Sequence, residues 1–192
     1  MKNNIFLKFF ILTILVSYLP LLHAEDKRTI PLDMYLIIDG SKALKSSKDD
    51  AISWVNQQVV DRTLVEGDRI TVWNAGDKSR IIYSDTISAS AGKDALKNTL
   101  QSLDTAGKTA DFSGALKEVL SKVSQTPGNR LPYTMLITSS AVGLEPALNG
   151  SSQNLLRWFR SEKYERWQVL VVAPNIDGKV RQHAQAYMSS SR

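Results

Sequence analysis

The chain has 192 residues, no cysteine, and 24 lysines and arginines against 19 aspartates and glutamates, a net charge of +5. Without thiols it has no disulfide staple, no zinc site of the usual Cys/His kind, and no bacterial lipid anchor, which needs a cysteine at the cleavage point. The charge excess is too small to argue for nucleic acid.

Residues 1–24 read as a secretory signal peptide rather than as fold. Lys2 and Lys8 make a basic start, Phe9 to Leu19 is an apolar run, and Leu22-His23-Ala24 is a cleavage pattern ahead of the charged Glu25-Asp26-Lys27-Arg28. The run is shorter than the roughly 20 apolar residues a membrane span needs, so no stable span is expected after cleavage. The remaining residues 25–192 carry 22 bases and 19 acids, a charge of +3, and suit a single domain with a full core.

The first strand is expected over Thr29 to Ile38, with Leu36-Ile37-Ile38 as a run buried on both faces. Ser46-Ser47-Lys48-Asp49-Asp50 opens a helix whose Ile52, Val55 and Val59 fall at helical spacing, ending near Leu64. Arg69 to Trp73 and Arg80 to Tyr83 are strands separated only by a turn at Ala75-Gly76-Asp77-Lys78, hence an antiparallel hairpin. Helices follow over Ala91 to Leu103 and from Phe112 to Val123. Thr134 to Thr138 and Trp167 to Ala173 are further buried strands, with helices at Ser151 to Lys163 and Lys179 to Met188. Strands alternating with helices through short connections predict an α/β fold: a doubly wound, mostly parallel sheet, one antiparallel edge strand, helices on both faces.

Ligands of such sheets bind at the carboxyl ends of the strands. Three loops should converge there: Asp39-Gly40-Ser41-Lys42-Ala43, Gly107-Lys108-Thr109-Ala110-Asp111, and Thr138-Ser139-Ser140. They bring carboxylates and hydroxyls, the oxygen ligands that hard divalent cations prefer.

Over about residues 31–186 the chain resembles the von Willebrand factor type A domain family. The matching pieces are Leu36 to Ser41, a strand ending in Asp-x-Ser; Gly67-Asp68-Arg69-Ile70-Thr71-Val72; Asp111-Phe112-Ser113-Gly114-Ala115-Leu116; and Met135-Leu136-Ile137-Thr138. Metal-binding members carry Asp-x-Ser-x-Ser on the first loop, Thr on the second and Asp on the third. Here Asp39 and Ser41 fit, Ala43 replaces the second Ser, Ala110 rather than Thr109 aligns with the Thr, and Ser139 replaces the Asp. The resemblance therefore implies a degenerate metal-ion-dependent adhesion site with no cofactor. The alternative is a magnesium ion held by Asp39, Ser41, Thr109 and Asp111.

The function expected is that of an exported module, periplasmic or else secreted, that binds another protein. Its binding rim would comprise Asp39, Ser41, Lys42, Thr109, Asp111, Ser139 and Ser140. An enzyme is not expected. A hydrolase using Asp39 lacks a second carboxylate, since Ser41 stands two residues on. His183, the only histidine after the leader, has no partner at a diagnostic spacing, and Gly107-Lys108-Thr109 lacks the earlier glycine of a P-loop. Trp158-Phe159-Arg160 and Tyr164-Glu165-Arg166-Trp167 interleave aromatics with bases, which reads as one amphipathic helix and a strand start rather than a nucleic-acid surface. An exposed Trp158 or Tyr164 would serve as a protein-contact anchor.

Overall fold

The computed structural model describes residues 28–139 and 164–172. Five strands form one sheet: β1 (Leu32–Asp39), β2 (Arg69–Ala75), β3 (Ser79–Thr86), β4 (Leu131–Ile137) and β5 (Gln168–Val172), in the order β3-β2-β1-β4-β5. β1 pairs in parallel with both β2 and β4, β4 with β5, and β3 lies antiparallel on β2. The α/β architecture with one antiparallel strand at the edge is as the sequence predicts. All eight residues of β1 are buried because it is central and helices cover both its faces.

Alternation along β1 sorts its side chains into two cores. Met34, Leu36 and Ile38 pack with Ile52, Val55, Leu96 and Leu100 of α1 (Lys48–Val55) and α2 (Ala89–Gln101). Tyr35 and Ile37 pack on the opposite face with Phe112, Leu116 and Val119 of α3 (Phe112–Val123) and with Trp73. Each fully buried aliphatic side chain contributes about 1.5–3 kcal/mol.

Local features differ from the sequence expectation. The first helix is not uniform: a 3₁₀ turn at Lys45–Ser47 precedes α1, and a π-helical stretch at Asn56–Asp61 follows it. The stretch is followed by a bond from the Leu64 N–H to the Val59 carbonyl, 2.9 Å and five residues back. Val59 and Val60, adjacent in sequence, are both fully buried. β1 begins at Leu32 and runs one residue further, through Asp39. Trp167 precedes β5 and is buried, its indole N–H donating to Thr134 Oγ1 at 2.8 Å. Tyr164 is half-buried with its ring edge against Trp167, centroids 5.9 Å apart, so it is a packing residue rather than an exposed anchor. The helices expected at Ser151 to Lys163 and Lys179 to Met188, with Trp158 and His183, lie outside the described residues, as does Ser140.

The amino end of the sheet is closed by ion pairs. Asp33 accepts from Arg69 Nε at 2.8 Å and Nη2 at 2.9 Å, and from Arg130 Nε at 2.5 Å. Asp68, fully buried, accepts from the Leu32 and Val65 N–H groups and from Arg28 Nη2 at 3.0 Å. Arg130 also donates to the Leu32 and Gly67 carbonyls. Arg166 donates to the Gly128 and Arg130 carbonyls. Among the described residues no helix is long and apolar enough to cross a membrane.

Candidate functional site: a braced rim at the carboxyl edge

Asp39 ends β1 opposite Ala75, the last residue of β2, so the loops after both strands leave from the same edge. Its side chain is fully buried, and both oxygens are engaged within the protein. Oδ1 accepts from the Ser41 N–H at 2.8 Å and Oδ2 from Thr138 Oγ1 at 2.8 Å. The first contact is an Asx turn, in which an aspartate closes its own loop. Ser41, also buried, accepts from the Ala43 N–H at 3.3 Å, and Ser139 Oγ donates to the Ala43 carbonyl at 2.6 Å. The first and third loops are therefore tied through Ala43 and through Asp39.

Backbone bonds join the first loop to the second. Lys42 N–H donates to the Gly107 carbonyl at 2.8 Å, and Gly107 N–H to the Gly40 carbonyl at 3.0 Å. Gly40 N–H donates to the Ala75 carbonyl at 2.9 Å. The packing there leaves no room for side chains. A Cβ on Gly40 would lie 1.7 Å from Asn74 Oδ1 and 2.9 Å from the Gly76 nitrogen, and one on Gly107 would lie 2.9 Å from the Gly40 oxygen. Asn74 itself is held by a bond from Nδ2 to the Asp104 carbonyl.

Asp111 caps α3. Its Oδ1 accepts from the Gly114 N–H at 2.8 Å, the N-cap arrangement that satisfies a free donor at a helix start. A Cβ on Gly114 would come within 2.2 Å of Asp111 Oδ2, so the glycine makes room for the cap. That Oδ2 accepts from the Ser79 N–H at 3.1 Å, and the Asp111 N–H donates to the Gly76 carbonyl at 2.9 Å. Thr109 faces Asp77: its N–H and Oγ1 donate to Asp77 Oδ1 at 3.0 and 3.3 Å, and the Lys108 N–H joins them at 2.8 Å. These bonds from the Thr109 and Lys108 backbone hold the Asp77 carboxyl below the usual aspartate range.

The structure thus brings together Asp39, Ser41, Lys42, Thr109, Asp111 and Ser139 at one edge. It adds the hairpin turn at Gly76-Asp77-Lys78 as a fourth loop, with Asp77 as its chief link. The parallel pairing of β2 with β1 is the signal that the turn belongs there. Lys42, Lys78 and Lys108 are exposed on the rim, whereas Asp39 and Ser41 lie beneath it.

A hard divalent cation needs several oxygen donors aimed at one point, and magnesium dehydrates reluctantly. The residues as placed do not fit that need. Asp39 is closed by Ser41 and Thr138, Asp111 by Gly114 and Ser79, and Thr109 turns its hydroxyl to Asp77. Ala43 carries no side-chain donor. The oxygens that would share a cation are occupied separately.

No family model matches the chain. An uncharacterized protein of Treponema pallidum (strain Nichols) is 28% identical over 120 residues, covering 61% of this chain and 53% of that protein. The chain thus spans about half the length of this curated relative. Among solved structures, manganese-loaded TRAP protein of Plasmodium vivax overlays with a TM-score of 0.56 at 16% identity, over 81% of this chain and 63% of that one. Proximal thread matrix protein 1 of the mussel byssus overlays at 0.53 and 14% identity, over 75% of this chain and 38% of that one. A looser overlay, 0.45 at 11% identity, is with a von Willebrand factor type A protein from Catenulispora acidiphila, over 84% of this chain and 43% of that one. With its sheet order and single antiparallel edge strand, the chain has a von Willebrand factor type A-like fold.

Proposed function

We propose that this chain is an exported, non-enzymatic module that holds another protein on the carboxyl-edge rim without a metal ion. The observation that carries the reading is the bracing of the rim. Four loops from different parts of the chain are fastened to one another by backbone bonds and by Asp39, Asp77 and Asp111. Preorganised loops lose little conformational entropy on binding, which favours a recognition surface. With Asp39 sealed beneath the rim, neither a metal ion nor a substrate is needed to explain its position. Export rests on the leader pattern of residues 1–24.

The test is co-purification from the native cell envelope, with and without chelator, using the natural chain and an Ala43→Trp variant as baits. Ala43 is exposed on the first loop, so the indole covers the rim without entering the core. The expected result is a partner recovered equally with and without chelator and lost with Ala43→Trp. Recovery abolished by chelator would overturn metal independence. Undiminished recovery with Ala43→Trp would overturn the rim as the contact surface.

A further inference from the structure

We infer that the rim binds an acidic segment of its protein partner through lysines on three adjoining loops, an inference that rests on the rim being the binding surface. Lys42 follows the Asp39 turn, Lys78 lies in the hairpin turn and Lys108 in the second loop, and all three are exposed. Their loops are joined through neighbouring residues. Lys42 N–H donates to the carbonyl of Gly107, the neighbour of Lys108, and Lys108 N–H donates to the side-chain Oδ1 of Asp77, the neighbour of Lys78. None of the three makes an ion pair among the described residues; the rim's one ion pair there is Arg80 with Asp104 at 3.5 Å.

The exposed charges of the described loops favour an anion. Residues 40–45, 76–80 and 104–109 carry Lys42, Lys45, Lys78, Arg80 and Lys108 against Asp77 and Asp104, an excess of three. Asp39, sealed below, and Asp111, engaged in its helix cap, reduce that excess without reversing it. Glu145 is the single charge in residues 140–150. With all three acids included the tally is neutral, five bases against five acids, so the case for an anion rests on exposure: five of the seven exposed charges in the described loops are cations. Asp77 weakens the field around Lys108, but three donors on its Oδ1 hold it toward the loop. Lysine suits an acidic segment. Each is a mobile point charge that takes a carboxylate in several geometries, unlike the fixed fork of an arginine. Such a contact steers association and is screened by salt.

The experiment titrates the purified full chain into a fluorescent peptide of Asp, Glu and Ser, followed by anisotropy at low and high salt. Two variants with the same change in charge accompany it. One is Lys42→Glu/Lys78→Glu/Lys108→Glu; the other is Arg62→Glu/Lys117→Glu/Lys122→Glu, away from the rim. The expected result is salt-sensitive binding, weakened about tenfold by the rim variant and left within about twofold by the other. Equal weakening by both variants, or no binding, would overturn the inference. So would anionic phosphatidylglycerol vesicles binding through the lysines while the peptide does not. The envelope co-purification separates this failure from failure of the rim reading. A partner lost with Ala43→Trp but kept with the lysine variant leaves the rim standing and removes its acidic ligand; a partner kept with both removes both.

Discussion

At the amino end of the sheet the cations are arginines, and buried aspartates hold them. Asp33 takes Arg69 in a two-point fork and Arg130 beside it, and Asp68 takes Arg28. At the carboxyl end the aspartates face other groups, chiefly backbone N–H donors, and Lys42, Lys78 and Lys108 form no close ion pair among the described residues, although Asp77 lies near enough to Lys108 to feel its charge. Both ends contain carboxylates and bases, but they are connected differently. A charge whose partner is already in the fold contributes to stability and has little left for a ligand. A carboxylate engaged by backbone donors leaves the neighbouring cations available. The foot is therefore a clasp and the rim the proposed surface, and variants at each end should separate the two roles.

The largest effect is expected at the foot. Asp33→Ala would leave Arg69 and the mostly buried Arg130 without their shared carboxylate; the Arg130 side chain is only 14% exposed. Breaking a buried pair by removing one partner costs about 3–5 kcal/mol. Thr126, which donates to Asp33 Oδ2 at 3.3 Å and contacts the Tyr35 hydroxyl, would lose a partner as well. Urea unfolding should show a clear fall in the midpoint, while the folded variant keeps its affinity for the acidic peptide. A midpoint within experimental error of the natural chain would show that the foot is not a clasp.

Beneath the rim, Asp39→Ala should cost less, about 2–3 kcal/mol, by orphaning the Ser41 N–H and the Thr138 hydroxyl in a buried place. Asp39→Asn should cost under about 1 kcal/mol, because the amide oxygen still accepts from Ser41 and the Thr138 hydroxyl can turn to accept instead. Both are read by thermal unfolding. An ion bound only by the native state would raise the melting temperature. The natural chain is therefore expected to melt at the same temperature with and without millimolar magnesium, and a magnesium-dependent rise lost in Asp39→Asn would return Asp39 to the role of a ligand. Gly40→Ala tests the loop packing itself. Its methyl would displace the Asn74 side chain and press on the Gly76 nitrogen, an overpacking of about 1–3 kcal/mol.

The legibility of these features follows the range of the forces behind them. Leu36-Ile37-Ile38 is readable as a central strand because burial on both faces leaves an apolar run in the sequence itself. The hairpin is readable because a turn of a few residues admits only an antiparallel return. Asp39 is readable as a landmark through its spacing to Ser41, a contact only two residues long. The foot is not. Asp33 meets Arg69 across 36 residues and Arg130 across 97, and an aspartate at a strand start carries no mark of either. Asp111 is placed at the rim by its spacing, but its use as a helix cap depends on Gly114, whose missing Cβ makes the room. The π-helical stretch at Asn56–Asp61 is invisible because it keeps both ends of an ordinary amphipathic pattern.

Asp77 gives the smallest effect and the most local one. It is fully exposed, so its removal should hardly move the global unfolding transition; what it holds is the backbone of Lys108 and Thr109. In Asp77→Ala those two amides should exchange with solvent faster, read by hydrogen exchange, while the amides of β1 keep their protection. The pH dependence has a definite sign. The folded carboxyl titrates lower than an ordinary aspartate because the Thr109 and Lys108 N–H groups favour its ionised form. Protection of the loop should thus be complete above the unfolded aspartate value, about 3.9, and be lost as pH falls through the lower folded value. An Asp77→Asn chain should show no such acid limb at these two amides. If the natural chain lost protection on raising the pH through that range, the carboxylate would not be the group that fastens the second loop. The spacing of the lysines at 42, 78 and 108 on the proposed surface would then rest on the backbone bonds of Gly107 with Gly40 and Lys42, and of Asp111 with Gly76.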